Sequence, residues 1–384
     1  MIRCKNIALL VLIATAFFTA CEKPEKLYPQ PKTSVGVQSQ IFAMGETYAN
    51  QLWFDFATQK TETNAFGLWH MGFSCDPNQP RVSINGGISA SFGVARFAGS
   101  SFGKITTDSI KKVQWHFDNP NGDPDSSAFP SAFVKNGAQW EVNDYTYVID
   151  LGDKIKDSTR YVQLQITDFK PGISYSITYG LLNQKTLDRT ETIAINPNKN
   201  FVYYHFLEHR VVENEPMDNH QWDILFTTYK ETVPDANGVP YPYVIRGVLI
   251  NPKKVSVAQL DKVNFDAIDK TTALAATFNI KQDEIGYDWK QYDQTAERYT
   301  MVPNRVYLIK TTDAIIKMKF VDFYNDQGVK GYPKNGLGNF EINFPRLFQR
   351  FGTMSFLFLD FLNNLHPTNR FSDAMSNLKK SNHE

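Results

Sequence analysis

The sequence predicts a mainly β protein built from two tandem antiparallel β-rich domains. Three observations lead there. Phe, Tyr, Val, Ile and Thr fill short alternating runs, and Asn, Asp, Gly and Pro clusters separate them. Helical periodicity is scarce before residue 345. The same order of aromatic strands recurs at a spacing near 150 residues.

The clearest strands by alternation are Leu52 to Phe56, Tyr145 to Leu151, Tyr161 to Phe169, Ser174 to Tyr179, Phe201 to Leu207, Val306 to Lys310 and Ile316 to Phe323. Two stretches suit short helices instead, Val257 to Phe265 and Ser109 to Gln114. The repeat rests on four markers. Leu52-Trp53-Phe54-Asp55-Phe56 matches Val202-Tyr203-Tyr204-His205-Phe206, and Leu68 to Phe73 matches Gln221 to Phe226. Later, Tyr147-Val148-Ile149 and then Leu164 to Phe169 mirror Tyr307-Leu308-Ile309 and then Met318 to Phe323. Domains at 43–185 and 186–345 follow from that order.

The N-terminus carries export signals. Arg3 and Lys5 precede an apolar stretch, Ile7 to Phe18, that is too short to span a bilayer. Phe18-Thr19-Ala20-Cys21 resembles the lipobox of bacterial lipoproteins, so residues 1–20 read as a signal peptide and Cys21 as the lipidated first residue of the mature chain. Acyl chains contribute about 0.8 kcal/mol per buried methylene, enough to anchor the protein without a spanning helix. Residues 21–42, rich in Lys, Pro, Gln and Ser, read as a flexible tether. Glu22, Lys23 and Glu25 look like the charged leaders of surface-exported lipoproteins.

Forty basic and forty acidic side chains, with no long single-sign block, argue against nucleic acid as a partner. After export only Cys21 and Cys75 remain. The first is acylated, so no internal disulfide holds the fold, and Cys75 is expected to be a buried small hydrophobe.

The second half is similar to the HmuY-like family of surface lipoproteins of Bacteroidota, which bind haem. The matching elements are the Trp222-Asp223 strand, the segment Ile285-Gly286-Tyr287-Asp288-Trp289-Lys290, and the hairpin Arg305 to Lys310 leading to Lys317 to Tyr324. The resemblance runs from about Asn196 to Phe344; the first half is more degenerate, with His70 in place of Asp223 and a Gly-rich stretch from Gly86 to Gly103. It implies antiparallel β domains, a lipid anchor on the outer membrane, and a haem or porphyrin held between loops for delivery to an outer-membrane transporter.

Haem iron needs axial donors, usually His, Met or Tyr. The resemblance implies histidines before the final hairpin, yet between Asp283 and Arg305 the chain offers Tyr287, Trp289, Tyr292, Tyr299 and Met301. In the first half the corresponding region holds His116, between Trp115 and Phe117. The candidate haem ligands are therefore His116, Met301, Tyr292 and Tyr299.

Other patterns carry less. His205-Phe206-Leu207-Glu208-His209 spells an inverted zincin motif, but the segment alternates as a strand, which places the two imidazoles roughly 13 Å apart, too far for one zinc. His220 and Met217 lie close by, in an expected loop. Asp118 to Asp125 gathers oxygen donors without the spacing of a standard calcium loop. No nucleophile elbow, phosphate loop or HExxH motif is present, so a binding role is expected rather than catalysis. The competing binding role is surface adhesion or carbohydrate binding, with Trp115, Trp140 and Trp289 as exposed stacking platforms. Residues 346–384 carry apolar residues at helical spacing from Phe351 to Leu365.

Overall fold

Buried runs, more than alternation, mark the centre of this molecule. The computed structural model describes residues 38–341 except 100, 101, 183, 185–188 and 236. Cys21 and the extension 346–384 lie outside the described residues, as does most of the tether.

Among the described residues the chain makes twenty-two strands. The first eleven are β1 (Gln38–Ile41), β2 (Asn50–Phe54), β3 (Thr61–Ala65), β4 (Met71–Ser74), β5 (Val82–Ile84), β6 (Gly93–Ala98), β7 (Phe133–Asn136), β8 (Gln139–Val142), β9 (Tyr145–Asp150), β10 (Tyr161–Lys170) and β11 (Ser174–Leu181). The second eleven are β12 (Arg189–Ala194), β13 (Phe201–His205), β14 (Arg210–Val212), β15 (Ile224–Pro234), β16 (Pro240–Ile250), β17 (Ser256–Leu260), β18 (Lys290–Asp293), β19 (Arg298–Met301), β20 (Val306–Lys310), β21 (Ala314–Tyr324) and β22 (Lys330–Glu341). One short α-helix, α1 (Lys270–Ala275), starts from the Asp269 side chain, which accepts the Thr272 N–H.

Four larger sheets result, in the orders β12-β11-β10-β9-β6, β14-β13-β4-β5, β16-β15-β2-β3 and β1-β22-β21-β20-β17. The first pair encloses one core, from Met71 and Phe73 through Tyr147, Leu164 and Tyr175 to Tyr204 and Phe206. The second pair encloses another, from Phe42, Leu52 and Phe54 to Phe226, Val248, Tyr307 and Phe323. Each is a sandwich whose two sheets meet through inward-facing apolar side chains.

The same pairings occur twice, eleven strands apart. β4 pairs with β13 as β15 pairs with β2, and β6 with β9 as β17 with β20. The N-terminal strands of each run, however, complete the sandwich of the other. β2 and β3 join β15, whereas β13 and β14 join β4. This corrects the boundary at 185/186: the first core is one continuous stretch, and the second is assembled from both ends of the folded chain. Alternation tells a strand which face is buried, and not which sheet will cover it. The expected tether is corrected as well. Gln38–Ile41 pairs with β22, and Phe42 is fully buried, so the folded chain begins inside 21–42.

The two middle sheets also bury their outer faces against each other. Leu52 and Phe54 enter the second core, while Trp53 joins Trp222, Leu225 and Met217 in a smaller cluster between the sheets. β15 consequently has seven successive buried residues, Ile224 to Lys230, where a half-exposed strand would alternate. Val257 to Phe265 is corrected from helix to strand at its start, because Ser256–Leu260 pairs residue by residue with β20. The other expected helix is a 3-10 turn, Ser109–Lys112. Cys75 is free and buried.

Candidate functional site

His116 reaches its place through the backbone. Its N–H donates to Val94 O at 2.8 Å and its carbonyl accepts the Val94 N–H at 2.9 Å, so it extends the free edge of β6. Gly93 permits this approach, since a Cβ there would stand 3.2 Å from His116 O. Ahead of it, Ile105, Ile110 and Trp115 cover the outer face of the same sheet.

His116 lines a cleft of about 550 Å³, with Phe92, Trp115, Phe117 and Tyr161 among its walls and Lys111, Arg160, Lys230 and Asp150 as its charged lining residues. That volume lies within the usual range for small-molecule sites. Burial, with Arg96 nearby, lowers the His116 pKa, so the imidazole is neutral at ordinary pH and keeps a lone pair for a metal. Neither ring nitrogen has a hydrogen-bond partner among the described residues. Arg160 is held by Asp150 at 2.8 and 2.7 Å, and its guanidinium lies 5.0 Å from the Tyr161 ring. Lys230 sits 5.3 Å over Phe117 and donates to Ala90 O and Phe92 O.

The other expected ligands lie elsewhere. Tyr292 and Tyr299 face each other across the β18–β19 hairpin, ring centroids 5.3 Å apart. Tyr299 N–H donates to Tyr324 OH, and Met301 packs against the second core. None of the three lines the His116 cleft. The second-half counterpart of His116 is Asn279, whose backbone bridges Val257 as His116 bridges Val94. Sequence reasoning did not see that pairing, because Asn279 lies outside every aromatic marker.

Several weaker patterns resolve as structure. His205 ends β13 and its Nδ1 accepts the Glu208 N–H, while His209 lies beyond the turn at φ 54° with Nδ1 against Tyr179 OH. Asp118 accepts the N–H groups of Ile84 and Ala128, so it ties the turn down. Met217 is buried against Trp53 and Trp222, and His220 is exposed. Of the three tryptophans expected as exposed platforms, Trp289 is corrected: it is 2% exposed within the second core, stacked on Phe320 at 3.9 Å, while Trp115 and Trp140 are half-buried. Apolar packing drew in the Trp289 ring, which composition alone left available for ligand.

No family model matches the chain, and no curated protein matches it. Among solved structures it is similar to apo PinO from Porphyromonas gingivitis, at 11% identity over 80% of this chain and 98% of that one, TM-score 0.25. A candidate HmuY-like heme-binding protein from Bacteroides vulgatus ATCC 8482 is 12% identical over 79% of this chain and 93% of its own, TM-score 0.20. A candidate lipoprotein from Bacteroides fragilis NCTC 9343 is 15% identical over 39% and 76%, TM-score 0.19. Scores this low leave the functional reading to the chain's own residues.

Proposed function

We propose that this chain is a lipid-anchored outer-membrane protein that captures haem or a related metalloporphyrin in the His116 cleft and hands it to an outer-membrane transporter. The observation that carries the reading is a neutral, unpartnered imidazole opening on an apolar cleft of about 550 Å³. Each part has a use. His116 supplies an axial nitrogen. Trp115, Phe117 and Tyr161 offer flat apolar faces to a macrocycle. Lys111, which pairs with Asp108 at the exposed surface, lines the cleft and can meet a carboxylate. The anchor is the lipobox-like Phe18 to Cys21.

A haem titration of the purified full-length chain tests it, read as a shift of the Soret band. The expected result is saturation near one equivalent, lost in His116→Ala and kept in Met301→Ala. A spectrum identical to free haem, or full binding by His116→Ala, sinks the proposal.

A further inference from the structure

The His116 cleft is shared between the two sandwiches. Most of its wall comes from the first, between Ala90 and Tyr161, but Lys230 and Pro242 belong to β15 and β16 of the second. β15 pairs with β2 through Ile224, Leu225 and Phe226, whereas its pairing with β16 continues to Pro234. The two strands run on past β2 as a hairpin, and that extension carries Lys230 to the cleft.

Three cations and one carboxylate line the cleft: Lys111, Arg160, Lys230 and Asp150. Two of the cations are matched. Arg160 holds both oxygens of Asp150, and Lys111 lies 2.6 Å from Asp108. Lys230 makes no ion pair among the described residues, and Asp150, the acid that acts on it from a distance, is the one Arg160 already holds.

The Lys230 ammonium is instead placed by neutral groups. Its Nζ donates to Ala90 O at 2.8 Å and to Phe92 O at 2.5 Å, and it stands 5.3 Å over the Phe117 ring. Carbonyls and a ring orient an ammonium without cancelling its charge. The residue is 4% exposed, so water screens that charge little. Burial lowers its pKa to about 8, which still leaves it a cation at pH 7, with one N–H beyond the two that the carbonyls take.

We infer that Lys230 selects the ligand of this cleft by charge: its ammonium takes a carboxylate carried by a flat aromatic molecule, so that the ligand bridges the second sandwich to His116 in the first. A hydrogen bond between two ionised groups is among the stronger ones. The same molecule with an ester or an alcohol in place of the carboxylate leaves the buried charge uncancelled. The inference rests on the His116 cleft being the ligand site proposed above, and not on that ligand being haem.

The test titrates the full-length chain with two matched pairs, haem against its dimethyl ester by the Soret band, and pyrenebutyrate against pyrenebutanol by pyrene fluorescence. The carboxylate of each pair is expected to bind about tenfold tighter than its neutral partner. Lys230→Gln, which removes the charge and keeps a donor, should make the members of each pair equal by weakening the carboxylate alone. A wild type that prefers the carboxylate in neither pair, or a preference that survives Lys230→Gln, overturns the inference. Where Lys230→Gln does not fold, a crystal structure of the wild type with pyrenebutyrate decides: a carboxylate on Lys230 Nζ supports the inference, and one on Lys111 or Arg160 overturns it. A haem spectrum identical to free haem, beside a pyrenebutyrate preference that depends on Lys230, removes the haem reading alone. Failure of every one of these ligands to bind removes both.

Discussion

His70 and Asp223 do the same work in the two halves with opposite chemistry. His70 Nδ1 accepts the Phe206 N–H at 3.1 Å, and Asp223 Oδ2 accepts the Phe56 N–H at 2.7 Å. Asn85 and Asn251 complete each arrangement, their N–H groups donating to His70 O and Asp223 O and their amides to Trp69 O and Trp222 O. Around Asp223 the neighbours are Asp55 and Lys254; around His70 the neighbour is His205, ring centroids 4.1 Å apart. One half is closed by an ion triad, the other by two neutral imidazoles tilted at 30° to each other.

Acid should therefore loosen the first half. Burial, and then His205, lower the His70 pKa from 6.5 to about 3, and accepting at Nδ1 leaves no room there for a second proton. A folded pKa below the unfolded one means that stability is present above 6.5 and falls as pH drops. His70 alone should cost about 2 kcal/mol near pH 5. Glu215 and Asp223 act the other way. Burial raises them to about 7 and about 6, against three N–H donors on Glu215, so they favour the folded state in acid and lose that contribution as pH rises. The wild-type curve mixes both signs, and a difference isolates His70. His70→Asn, which can still accept from Phe206, should gain on the wild type by about 2 kcal/mol between pH 7 and pH 5 in urea unfolding. Parallel curves for the two proteins would show that His70 does not titrate as its surroundings imply.

Lys254→Met should be costly in a way that acid relieves. Lys254 lies 2.7 Å from Asp55 and 3.1 Å from Asp223, whose side chains are 5% and 0% exposed. Burial would raise the Asp55 pKa, but Lys254 and Thr58 hold it below its ordinary value. Removing the cation leaves two buried carboxylates facing each other, a loss of about 3–5 kcal/mol at neutral pH. Near pH 5, where Asp223 takes a proton, the loss should shrink. An equal loss at both values would mean that the pair is not held by charge.

Gly87 tests how closely the middle sheets approach. A Cβ at Gly87 would stand 2.3 Å from Thr228 O, a backbone atom that cannot swing aside. Gly87→Ala should destabilise by about 3 kcal/mol, whereas Gly67→Ala, with nothing within 4 Å of its Cβ, should be close to neutral. Equal midpoints in urea for the two variants would contradict the contact.

The sequence made strands legible and their partners illegible. Tyr161–Lys170 shows its alternation because one face stays near solvent, and it was read almost to the residue. Ile224–Pro234 shows none over its first seven residues, because both faces are buried. The aromatic markers at Trp53 and Tyr203 do occupy corresponding strands, yet each strand lies in the sandwich of the other run. Nothing local records that exchange, since it depends on which sheet edge stands nearest when the chain collapses. The site was legible in the same partial way. His116 is a candidate because the first half holds it where the resemblance expects a ligand, and Trp115 and Phe117 line the cleft with it. Met301, Tyr292 and Tyr299 are ligand candidates by family resemblance alone, and packing sets Met301 and Tyr299 against the second core, with Tyr292 exposed beside Tyr299.

The exchange makes a prediction about fragments. Every residue of the first core lies between Met71 and Phe206, so residues 66–213 carry a complete sandwich, including the β13–β14 hairpin that covers β4. Residues 43–185, the unit that the repeat alone suggests, lack Ile193, Tyr204 and Phe206 and leave β4 without its β13 neighbour. They also carry Leu52 and Phe54, whose core partners Phe226 and Val248 are missing. An unpaired strand beside exposed apolar rings favours association over folding. The 66–213 fragment should unfold cooperatively in urea, while 43–185 should aggregate or lose structure without a sharp transition. A cooperative 43–185 fragment beside a disordered 66–213 would mean that the two runs fold as sequential domains and that the strand exchange is wrong.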